Sequence, residues 1–138
     1  MIIINTPSPY CNEDWSFKYF GTDWQCACRE SEMQSPIDLP RREQLEIVVD
    51  QARFDYFLVK KKNVQFVWED NMVKLKGNFG TVTDIDLTEY QSYEIRFHTP
   101  AEHSILGEKF DMEVQIVHRP ITKGDVRKKA VVSILFKK

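Results

Sequence analysis

No stretch of this 138-residue sequence approaches the roughly 18–20 consecutive apolar residues that a membrane-crossing helix requires, so no membrane span is expected. Ile2–Ile4 is too short for the apolar core of a secretory leader, and the chain as given is expected to carry none. Nor is there a charge imbalance. With 19 basic and 21 acidic residues the net charge is −2, which gives no electrostatic basis for a nucleic-acid or anionic-membrane partner. The one basic run, Lys60-Lys61-Lys62, reads as a solvated strand end or turn. Internal repeats, low-complexity segments, domain linkers and sustained helical periodicity are all missing, which excludes repeat arrays and helix bundles.

Cysteine is scarce and odd in number. Cys11, Cys26 and Cys28 leave at least one thiol without an internal partner, and three readings stay open. They are reduced structural cysteines, a disulfide from Cys11 to Cys26 or Cys28, or a metal site. The last is disfavoured because Cys26-x-Cys28 has no matching Cys/His pair at zinc-finger spacing.

What is present is a globular composition, 42% hydrophobic and 12% aromatic, in a chain long enough for one domain with a real core, taken as residues 1–138. Residues 1–33 show no regular period but are rich in large side chains, among them Trp15, Phe17, Tyr19, Phe20 and Trp24. They are expected to form an extended N-terminal arm anchored by aromatic burial. Pro36 and Pro40 then fix an extended backbone suited to a sheet edge. Beyond Glu46 the sequence predicts strands at Leu45–Val49, Tyr56–Lys60, Val64–Trp68, Met72–Lys76 and Val82–Leu87, with a tight turn at Asp70-Asn71. The fold class expected is mainly β, a largely antiparallel twisted sheet.

All three histidines fall between Tyr93 and His118. Two alternating runs, Tyr93–Thr99 and Met112–His118, predict facing antiparallel strands that project Arg96, His98, Glu113 and Gln115 from one face. Such a cluster is a site or the remains of one.

The run Gln34-Ser35-Pro36-Ile37-Asp38-Leu39, preceded by an aromatic stretch and a cysteine, is similar to the opening of the α-class carbonic anhydrases. Phe97-His98-Thr99-Pro100-Ala101-Glu102-His103, followed by Phe110 to His118, resembles the metal-site hairpin of the same family. The resemblance covers nearly the whole chain but only the N-terminal half of a typical member, and its residues point to the family's acatalytic, carbonic anhydrase-related members. It implies a carbonic anhydrase-like sheet without its C-terminal half.

In that family three imidazoles hold a zinc whose bound water ionises near neutrality. Carried over, the ligand positions are Arg96, His98 and Gln115, so only one histidine remains. A guanidinium at a ligand position sets a permanent positive charge against the cation. The proton-shuttle position falls on Lys62, an amine too basic to relay protons near pH 7. The resemblance makes Glu102 the orienter of a threonine in the absent half and Glu113 the acceptor behind the third ligand, while His103 and His118 are read as structural. Arg96 is expected to pair with Glu113, Gln115 or Glu102.

The expected function is therefore a catalytically inactive carbonic anhydrase-like domain serving as a structural or protein-interaction module, with no cofactor. The alternative is a zinc lyase hydrating carbon dioxide through an altered metal site, and a third reading is a small-anion pocket centred on Arg96. A sheet ending at Val131–Phe136 is expected to expose an apolar edge, covered by a protein partner or the remainder of a longer chain.

Overall fold

Eight strands form one curled sheet in the computed structural model, which describes residues 2–5, 35–40, 52–122 and 128–138. Strands β1 (Ile2–Asn5), β2 (Asp38–Leu39), β3 (Arg53–Tyr56), β4 (Gln65–Glu69), β5 (Met72–Lys76), β6 (Gly80–Thr83) and β7 (Glu89–His98) come first. They are followed by β8 (Ser104–Ile105), β9 (Glu108–Lys109), β10 (Met112–Pro120) and β11 (Lys128–Phe136). The main path runs β1-β11-β10-β7-β5-β4, and β6 joins β3 to the first half of β7. A small second sheet orders β2-β8-β9, with β2 parallel to β8. Every pairing in the main sheet is antiparallel.

The expected hairpin between Tyr93–Thr99 and Met112–His118 is the centre of this sheet. β7 and β10 pair from His98 opposite Glu113 to Tyr90 opposite Pro120, with a register shift between Val117 and His118. The tight turn at Asp70-Asn71 is also found. Both residues have positive φ, 52° and 57°, the combination that matches the twist of a two-residue hairpin connection.

The hairpin strands run longer than expected, β7 starting at Glu89 and β10 ending at Pro120, and β3 and β6 differ in place or extent. β3 lies at Arg53–Tyr56 rather than Tyr56–Lys60, because its partner β6 begins at Gly80, opposite Tyr56. Beyond that point only the Phe57 N–H to Phe79 carbonyl bond continues the pairing, Leu58 is fully exposed, and the chain turns through a 3-10 segment at Lys61–Asn63. β6 ends at Thr83 rather than Leu87 because the Asp84 carboxylate accepts the N–H groups of Asp86 and Thr88 and folds the chain into a turn. The predicted strand at Leu45–Val49 and most of the aromatic arm lie outside the described residues. The first residues of that arm, Ile2–Asn5, form β1 against Lys128–Val131. The edge expected to be bare is therefore paired over half of β11, and Val132–Phe136 has no strand beyond it among the described residues.

Register assigns the two faces of the sheet opposite characters. One face carries the row Lys74, Arg96, Gln115 and Ser133 across β5, β7, β10 and β11, with His98 beside Glu113 in the next row. The other carries two apolar rows five strands wide. Phe66, Leu75, Ile95, Ile116 and Val132 form one, and Trp68, Val73, Phe97, Val114 and Ile134 the other. The polar face is the better buried: Lys74, Glu94, His98, Glu113 and Gln115 are all buried, whereas none of the ten apolar residues is. The buried apolar cluster of Val82, Tyr90 and Ala130 sits instead at the far end of β7.

Candidate functional site

Strand alternation puts Glu94, Arg96 and His98 on one face of β7, and direct pairing sets Gln115 opposite Arg96 and Glu113 opposite His98. The three residues to which the resemblance assigns metal ligation, Arg96, His98 and Gln115, are thus brought together on adjacent strands. They are not left free for a cation.

Gln115 is tied on both sides. Its Nε2 donates to Glu102 Oε2 at 2.8 Å and to Glu113 Oε1 at 2.9 Å. Glu102 Oε1 lies 3.3 Å from His98 Nδ1. Glu113, fully buried, also accepts the N–H groups of Glu102 and His103, each at 2.9 Å, and faces His103 Nδ1 at 2.7 Å. His103 Nε2 is 3.2 Å from Ser35 Oγ. A carboxylate opposite Nδ1 fixes the proton there, so Nε2 of the neutral ring accepts from the Ser35 hydroxyl. The result is a continuous relay from His98 through Glu102, Gln115, Glu113 and His103 to Ser35, linking the hairpin to the segment before β2.

The electrostatics follow from these partners. Burial by itself would raise the Glu113 pKa, but hydrogen bonds from His103, Gln115 and Ser133 stabilise the anion and hold it well below the usual carboxylate range. His98 is pushed below its ordinary value by burial and by Arg96, against the pull of Glu102 and Glu113.

Arg96 departs from expectation. Its partner is not Glu113, Gln115 or Glu102 but Glu94, two residues earlier on the same face, whose Oε1 accepts from Arg96 Nε at 2.6 Å. The side chain is about one-third exposed. Across the ladder stands Lys74, a buried ammonium paired with Asp70 and 3.9 Å from Glu69. Two like charges directly opposite each other are unfavourable in a sheet, and Glu94 and Asp70 offset them. Glu94, Lys74 and Ser35 escaped the sequence reading. Glu94 was findable, being two residues before Arg96 and so on its face. Lys74 needed the β5–β7 register.

His118 belongs to a separate cluster. Its Nδ1 is 3.1 Å from the Ala130 carbonyl and its Nε2 is 3.0 Å from Tyr56 Oη, so a neutral ring donates to one and accepts from the other. Burial lowers the His118 pKa and raises that of Tyr56 to about 12. Lys62 lies in the exposed 3-10 turn before β4.

The donor set does not suit zinc. One imidazole, one amide already engaged by two carboxylates and one guanidinium cannot supply a tetrahedral site. Among the described residues no group of three or more His, Cys, Asp or Glu side chains is arranged to hold a metal ion.

A family model described as eukaryotic-type carbonic anhydrase matches residues 12–137. The chain belongs to that family. Dioscorin dioA3 of Dioscorea japonica is 37% identical over 131 residues, 94% of this chain and 45% of that protein. Alpha carbonic anhydrase 6 of Arabidopsis thaliana is 34% identical over 110 residues, 80% of this chain and 40% of that one. A crystal structure of dioscorin complexed with ascorbate superposes with a TM-score of 0.65 at 34% identity, over 80% of this chain and 44% of that one. The chain therefore spans less than half the length of the curated relatives it matches, and what it matches is the N-terminal half of the carbonic anhydrase domain.

Proposed function

We propose that this carbonic anhydrase-family chain is a catalytically inactive domain that serves as a structural or protein-interaction module. The observation that carries the reading is the state of the hairpin. Arg96 and Gln115 stand at two of the three assigned ligand positions, and both are committed to carboxylates, Arg96 to Glu94 and Gln115 to Glu102 and Glu113. A cation entering here meets the guanidinium charge, and at about 4 Å and an effective dielectric near 20 each unit pair contributes about 4 kcal/mol of repulsion, more for a dication. Lys62 in its exposed turn adds no group that relays protons near neutrality.

A second reading, a zinc lyase with an altered site, has one observation in its favour. His98 is retained, with Glu113 directly across the ladder from it and Glu102 Oε1 3.3 Å from its Nδ1. Metal analysis together with a carbon dioxide hydration assay separates the two. The proposed function predicts no stoichiometric zinc and no hydration above the uncatalysed rate, and either one would overturn it.

A further inference from the structure

We propose that Ser35 is an activated nucleophile, a site at which the chain takes up an acyl group from an ester with a phenolic leaving group. This goes beyond the proposed function and uses no metal, so zinc or hydration activity in the chain would refute inactivity and leave the serine site standing. The step modifies the chain once, which a domain without turnover accommodates.

Three side chains meet in line. Glu113 on β10 places Oε1 2.7 Å from His103 Nδ1, and His103 Nε2 lies 3.2 Å from the Ser35 hydroxyl, 68 residues away in sequence. A carboxylate, an imidazole and a hydroxyl joined through the two ring nitrogens are the orienter, base and nucleophile of serine acyl transfer, a set recognised by geometry and roles rather than by order in the sequence. The proton sits where that chemistry needs it. Glu113 accepts from the Glu102 and His103 N–H groups and from Gln115 Nε2, contacts that favour its ionised form. An ionised carboxylate can only accept, so Nδ1 carries the ring proton and Nε2 turns a lone pair to Ser35.

Burial is graded in the same direction. Glu113 is fully buried and His103 is 4% exposed, so the base is held in one orientation beside a poorly screened anion that stabilises its protonated form. Ser35 is half-buried and reachable from solvent. Ser104 supplies a contrast, because its hydroxyl donates to Asp38 Oδ1 at 2.7 Å, a carboxylate too weakly basic to take a serine proton near pH 7.

In the step, Ser35 Oγ attacks the ester carbonyl carbon while His103 Nε2 takes the hydroxyl proton. The bond from the acyl carbon to the leaving oxygen then breaks, and the proton passes from the imidazolium to that oxygen, giving an acyl-serine and a free phenol. The half-exposed site leaves the developing oxyanion to water, so the gain over an ordinary serine is that of general-base catalysis, about 10²–10⁴-fold.

The test incubates the chain with p-nitrophenyl acetate and follows acetylation residue by residue by peptide mass spectrometry. Ser35 is expected to be acetylated at least tenfold faster than any other serine, and at least tenfold more slowly in His103→Gln, whose amide keeps an N–H for Glu113 but has no basic nitrogen. Circular dichroism checks that this variant folds. A second measurement needs no variant: in concentrated urea the parent chain parts Ser35 from His103, and the preference for Ser35 should vanish while lysines continue to be acetylated. Acetyl groups on lysines alone, a Ser35 rate no higher than that of other serines, or a rate unchanged in folded His103→Gln or in urea would each overturn the proposal.

Discussion

Gln115 lies directly across the β7–β10 ladder from Arg96, so the two substituted positions of the hairpin are cross-strand neighbours on one face. Neither replaces the chemistry of an imidazole ligand. Gln115 does reproduce one feature of a histidine there, an N–H donated to the Glu113 carboxylate, and this keeps a buried anion satisfied without a metal.

If charge and donor type are what bar zinc, the barrier is removable. Arg96→His with Gln115→His leaves three imidazoles on the hairpin beside retained Glu113 and Glu102, and the double variant is expected to bind zinc stoichiometrically. Cobalt substitution would give the visible absorption of a tetrahedral site. Gln115→His alone, with the guanidinium in place, should bind at least tenfold more weakly than the double variant.

Glu113 is the structural keystone of the relay. It accepts from the Glu102 and His103 N–H groups, from Gln115 Nε2 and from His103 Nδ1. Glu113→Ala leaves these buried donors unanswered and is expected to destabilise the fold by about 3–5 kcal/mol. Glu113→Gln, which keeps two acceptor lone pairs on one oxygen, should lose less. Urea denaturation midpoints of the two variants measure the difference, and equal losses would contradict the relay.

Gly80 and Gly107 make a paired test of backbone space. A Cβ on Gly80, at φ +129°, would lie 2.2 Å from the Asp55 carbonyl oxygen and 2.6 Å from Tyr56 Cα. Gly80→Ala must therefore push β3 off β6, and a loss of about 2 kcal/mol or more is expected. Gly107 also has positive φ, +75°, but a Cβ there meets nothing within 4 Å, so Gly107→Ala should cost only about 1 kcal/mol. Thermal melts of the two variants rank them.

The hairpin was legible because apolar and polar residues alternate along Tyr93–Thr99 and from Met112 to Ile116, and β5 is announced by the turn at Asp70-Asn71. Where strands end was less legible. Nothing in Tyr56–Lys60 says that its partner starts at Gly80, and Asp84 halts β6 through a side-chain bond that hydrophobic periodicity does not record. At the site, residue types and faces could be read, but pairing could not. Arg96 had three acidic or amide neighbours in prospect and took a fourth, Glu94, because i and i+2 on a strand need no register to meet. The Ser35 end of the relay joins residues 68 apart in sequence, a contact that no local pattern encodes.

Stability should fall on both sides of neutrality. His98 and His118 are held below their ordinary value of 6.5, chiefly by burial, so below about pH 6.5 the unfolded chain takes up protons that the native state refuses. Glu113, depressed from 4.5, adds a second loss as pH drops below that value. Tyr56, raised by burial from 10.0 to about 12, works in the opposite direction, and its contribution is lost as pH rises through that interval. Denaturation midpoints from pH 4 to 11 should trace a dome, whereas a level profile between pH 4 and 7 would contradict the buried network.

The most direct test of the central claim is the zinc content of the purified chain after equilibration with equimolar zinc and gel filtration, measured by plasma mass spectrometry beside the Arg96→His/Gln115→His variant. The account predicts no stoichiometric zinc in the parent chain and one equivalent in the variant. One tightly held zinc per parent chain, lost on His98→Ala, would contradict it.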